Sequence, residues 1–113
     1  MTAQNLAILE YSFLKEMYED SYFPNDLVEK IQTILVEFCI QIENQHPQNL
    51  DHLYVLSHQA TEKINQLQDA FEQADSEIET VARECIAEDF GFIADSYAFE
   101  DAGIEELIAP RDW

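Results

Sequence analysis

The chain has 113 residues and a mass of 13.1 kDa, the size of one domain and too small for two. Hydrophobic residues make up 47%, which excludes a disordered acidic tail, although 24 Asp and Glu against 5 Lys and Arg leave a formal charge of −19. Over the ~6,400 Å² that a folded chain of this mass exposes, that is one net negative charge per ~340 Å², a surface that repels phosphate backbones and anionic lipid but not basic partners.

Taken in chain order, the first predicted helix covers Asn5 to Tyr18, with Leu6, Leu9, Phe13, Met17 and Tyr18 on overlapping i, i+3, i+4 positions. Asp20 to Pro24 turns the chain, since proline suits a first helical turn and the residue before it avoids the helical region. The second helix, Pro24 to Gln45, places Leu27, Ile31, Ile34, Leu35, Phe38 and Ile42 in a wide apolar arc, with Val36 and Ile40 on the far side. Pro47 ends it. Asn49 caps a third helix to Ala74, on which Leu53, Leu56, Ala60, Ile64, Leu67 and Phe71 recur at spacings of three and four.

Ser76 and Glu79 have the spacing of a capping box that opens a fourth helix running to Phe99, with Ile78, Val81, Ala82, Cys85, Phe92 and Ile93 inward. Gly91 inside it either kinks the helix or admits a close neighbour. A short fifth helix, Ala102 to Ile108, follows Asp101 as its cap. The fold class is therefore all-α: one domain, residues 1–113, built as an antiparallel four-helix bundle with a short fifth C-terminal helix.

Met1 to Leu14 has neither the cationic start nor the roughly 7-to-15-residue apolar stretch of a signal peptide, and no segment approaches the ~20 apolar residues of a membrane span. A cytoplasmic protein is expected. Cys39 and Cys85 sit in helix-like runs without CxxC spacing and read as buried thiols.

On the fourth helix, at 100° per residue, Glu77, Glu84, Glu88 and Asp95 project within about 40° of one another, a carboxylate stripe roughly 27 Å long. Residues 72–113 hold 13 acids and 2 arginines, a net of −11, whereas residues 1–71 hold 11 acids and 3 lysines, a net of −8. Charge per residue is more than twice as dense toward the C-terminus, so the stripe is suited to steering a basic partner; the simpler alternative is a solvated face that aids solubility. Tyr22 and Phe23, at the turn of an aromatic-rich segment, are further candidate anchors for such a partner, with core filling as the alternative.

Asp89 projects into the middle of the apolar arc. A carboxylate there must be paired, protonated or pointed into a cleft; Arg83, Arg111, a lysine or a histidine could pair with it, and Arg111, carried back by a tail anchored on Trp113, is the expected partner. Metal and catalytic patterns are thin. Glu43 and His46 form a single Glu-x-x-His pair where a carboxylate-bridged centre uses two, and His52 and His58 project about 120° apart. Ser57 and His58, as sequence neighbours, point about 100° apart, and the two glycines, Gly91 and Gly103, form no phosphate-binding loop. No cofactor, metal or catalytic residue is expected.

The runs Phe13 to Pro24 (FLKEMYEDSYFP), Ile34 to Glu43 (ILVEFCIQIE), Ser76 to Phe90 (SEIETVARECIAEDF) and Glu106 to Trp113 (ELIAPRDW) resemble a family of small acidic bacterial proteins known as a domain of unknown function. The resemblance implies a bacterial cytosolic single domain and brings no activity with it.

Together these features lead us to expect a non-enzymatic acidic interaction protein that binds a basic protein partner and neither nucleic acid nor membrane. Immunity or inhibitor proteins and nucleic-acid mimics are variants of this reading. The alternative is a small-ligand or metal-binding helical bundle that uses Asp89 with a histidine or Cys85. Monomer and homodimer both remain open, the latter through Val36 and Ile40.

Overall fold

A computed structural model describes residues 3–113, and within them seven helices and no strand. They are α1 (Leu6–Glu10), α2 (Lys15–Glu19), α3 (Asn25–Gln45), α4 (Leu50–Asn65), α5 (Gln68–Gln73), α6 (Thr80–Ser96) and α7 (Ile104–Leu107). The radius of gyration, 13.4 Å, fits one packed domain of this length, for which ~13 Å is usual. The exposed area, 6374 Å², is close to the value read from mass alone.

The longest helices make a hairpin. His46 takes a left-handed conformation (φ 47°) that ends α3, and Pro47 prevents its continuation. The side chain of Asn49 then caps α4 by accepting from the His52 amide at 2.9 Å. Across the hairpin His52 meets Gln45 at 3.3 Å and Lys63 meets Glu37 at 3.6 Å, so the two helices run antiparallel.

The N-terminal segment runs opposite to α6: Asn5 donates to the Ser96 carbonyl at 2.8 Å, and Glu16 lies 3.5 Å from the Cys85 sulfur. The C-terminal segment follows α4, with Gly103 against Tyr54 at 3.1 Å and Pro110 against Asn65 at 3.0 Å. Between them, α3, α4, α6 and these two strapping segments enclose a core in which Phe23, Phe71, Phe90, Ile31, Leu35 and Ile93 are fully buried.

All-α architecture follows from the sequence, but two of the predicted helices are broken. Asn5 to Tyr18 becomes α1 and α2, because Tyr11 is extended and Leu14 is left-handed (φ 55°). Leu14 is fully buried and its amide donates to Asp89 at 2.8 Å, which offsets the roughly 1 kcal/mol or more that such a backbone costs a non-glycine residue. The third helix divides at Gln66 and Leu67 into α4 and α5. The capping box does not form: α6 begins at Thr80, and Glu79 occupies the cap position without a side-chain cap bond. Gly91 admits a neighbour, since a Cβ there would lie 3.2 Å from the Ile104 side chain of α7.

Candidate functional site

The two sides of α6 carry different chemistry. Ala82, Cys85, Ile86, Asp89, Phe90 and Ile93 are buried, while Glu84, Glu88 and Asp95 stand exposed. At 1.5 Å per residue those three carboxylates extend over roughly 17 Å, shorter than the predicted stripe. Glu77 is exposed but precedes the helix, so it is not part of the row; it borders a small cleft with Glu72, Arg83 and Asp112.

The row has few cations to answer it. Among the described residues two ion pairs occur, Lys63 with Glu37 and Arg111 with Glu105, and neither includes an α6 carboxylate. Glu16 of α2, also exposed, adds to the same field, since Glu16 and Glu88 both act on Asp89 beneath them.

Asp89 is 3% exposed and lies under the seam between α6 and the N-terminal segment. One carboxylate oxygen accepts from the Tyr11 hydroxyl at 2.6 Å and the other from the Leu14 amide at 2.8 Å. Burial pushes its pKa up to about 6; the two hydrogen bonds pull against this, and Glu16 and Glu88 add to the rise.

Arg111 is not its partner, contrary to expectation. The tail does fold back on Trp113, which is buried, but it packs along α4, and Arg111 pairs with Glu105 at 3.4 Å and lies over the Trp113 ring at 5.7 Å. Asp89 faces the opposite strap. The expectation failed because pairing by charge overlooked a neutral hydroxyl and a backbone amide, which give each carboxylate oxygen a donor without a cation.

Tyr22 is exposed. Phe23, by contrast, is 1% exposed and packs edge-on to Tyr22 with ring centroids 5.1 Å apart, so it belongs to the core and is withdrawn as a contact residue. Residues flanking a turn point to different sides, and only one of these two faces out.

Cys39 and Cys85 are buried and free, and burial pushes both thiols up to about 12. Neither should react with a thiol reagent such as Ellman's reagent at pH 8 in the folded protein, and both should react after denaturation. Prompt labelling of the native chain would contradict this burial.

Glu43 has a structural role the sequence did not indicate. Its carboxylate accepts from the Gln4 amide at 2.9 and 3.0 Å, from the Asn5 amide at 3.1 Å and from the Tyr97 hydroxyl. Burial pushes its pKa up, but these donors outweigh it and hold the carboxyl below the usual range. It is therefore a clamp rather than half of a metal pair with His46. His58 likewise contacts the Glu106 carbonyl at 2.6 Å. Among the described residues no group of three or more His, Cys, Asp or Glu side chains is placed to hold a metal ion, and no helix is long and apolar enough to cross a membrane.

A family model described as a family of unknown function, DUF5713, matches residues 7–113. The chain belongs to that family. No curated protein and no solved structure matches it. The DUF5713 match takes in the α6 carboxylates, the Asp89 tie and the tail.

Proposed function

We propose that this DUF5713 protein is a non-enzymatic interaction protein of the cytosol whose acidic face binds a basic protein partner. One observation carries the reading: Glu84, Glu88 and Asp95 stand exposed along one side of α6, and among the described residues none of them has an ion-pair partner. Such a surface accelerates encounter with a cationic partner by about 10-fold or more at low salt. Inhibitors and immunity proteins of basic enzymes share this character, and a nucleic-acid mimic is a variant in which carboxylates stand in for phosphates.

The ligand-binding alternative has less support. Both oxygens of Asp89 are engaged by Tyr11 and Leu14, and the Cys85 thiol is protonated and covered, so neither offers free chemistry to a guest.

Affinity capture from an extract of the native cell, at about 50 mM and about 500 mM salt, tests the proposal. A basic protein retained at low salt and lost at high salt is the outcome expected. Retention of acidic proteins, or equal retention at both salts, would count against it.

A further inference from the structure

The outer side of α3 carries a second surface, distinct from the α6 row. A groove of about 750 Å³ runs along it, walled by Tyr18 of α2 on one side and Lys63 of α4 on the other. Its floor holds Val36 and Ile40, both half-buried, and Glu29, Thr33 and Glu37 are exposed along it. Val36 and Ile40 are one helical turn apart, and the lining from Glu29 to Asn44 covers roughly 22 Å of helix, the length of about four turns. This spacing suits apolar anchors at i and i+4 on a docked helix.

We infer that this groove binds a cationic amphipathic helix of a partner protein, with apolar side chains on Val36 and Ile40 and Lys or Arg side chains meeting Glu29 and Glu37. Charge decides the occupant. Among the described residues Lys63 is the one cation lining the groove; its 3.6 Å pair with Glu37 is solvent-exposed and exchangeable, and Glu29 has no ion pair. A second copy of this chain would bring another −19, setting like charge against like at short range. An acidic or neutral helix would leave Glu29 unanswered. A basic helix covers the apolar floor while placing cations opposite Glu29 and the exposed Glu37.

The inference differs from the α6 proposal in surface, and the two separate experimentally. The probe is a 15-residue Leu/Lys peptide, about four turns long, with leucines on one helical face; a scrambled isomer of equal charge is the control. With the full chain isotopically labelled, the amphipathic peptide should shift the amides of Thr33, Val36 and Ile40. Thr33→Arg, at an exposed position that leaves the core untouched, should weaken binding by about 10-fold, and Glu29→Gln with Glu37→Gln should reduce both affinity and its salt dependence. The triple variant Glu84→Gln, Glu88→Gln, Asp95→Asn should bind the peptide within about twofold of wild type, because long-range charge contributes less than the groove contacts. Equal binding of the scrambled isomer, shifts confined to α6, or no loss on Thr33→Arg would each overturn the groove assignment. None of those results bears on whether the α6 row meets its own partner.

Discussion

Asp89→Ala should lower the stability of the fold by about 3 kcal/mol at pH 5, because it leaves the Leu14 amide buried without an acceptor and opens a cavity beneath the α2–α6 seam. The loss should shrink as pH rises. Asp89 has its folded pKa raised to about 6, above an unfolded value near ~4, so its stabilising contribution is complete below the unfolded value and is lost as pH rises through about 6. Between pH 8 and pH 5 this group alone adds about 1 kcal/mol to wild-type stability. Asp89→Asn keeps an acceptor for Leu14 and cannot ionise, so its stability should vary less over that range. Urea unfolding of the three proteins from pH 5 to pH 8 reads all of this; an Ala variant as stable as wild type at pH 5 would remove Asp89 as the tie.

Glu43→Ala should cost about 2 kcal/mol at pH 7, since it deprives the Gln4 and Asn5 amides and the Tyr97 hydroxyl of a charged acceptor. Its pH dependence has the opposite sign. A carboxyl held below its usual value stabilises the fold above the unfolded pKa, near ~4.3, and loses that effect as pH falls through the folded one. Hydrogen exchange should locate the damage: faster exchange in α1 with α3 and α4 unchanged is expected. Uniform acceleration throughout, or none, would show that Glu43 does not clamp this segment.

These two carboxylates explain much of the difference between the sequence and the fold. The hairpin of α3 and α4 was legible because its signals are local: an apolar period, a proline before and after α3, and an asparagine cap. The N-terminal helix was not, since its break at Tyr11 to Leu14 depends on Asp89, 75 residues further along the chain from Leu14. Periodicity reports which face is apolar and says nothing about which backbone amide a remote carboxylate will take.

The acidic row was partly legible for the same reason. Exposure of Glu84, Glu88 and Asp95 follows from helix geometry, whereas Glu77 dropped out because the capping box lost to an α6 start at Thr80. Phe23 and Tyr22 differ by one position in a turn, where no period tells inside from outside. The α3 groove was visible only as Val36 and Ile40 on the far side of a helix; Tyr18 and Lys63, which make that face concave, come from other elements.

Stopped-flow association of the captured basic partner with wild type and with the Glu84→Gln, Glu88→Gln, Asp95→Asn variant, across a salt series, tests recognition by the α6 face most directly. Neutralisation should slow association by about 10-fold at low salt and flatten its salt dependence, with a smaller effect on dissociation. Identical rates and salt slopes for the two proteins would contradict it.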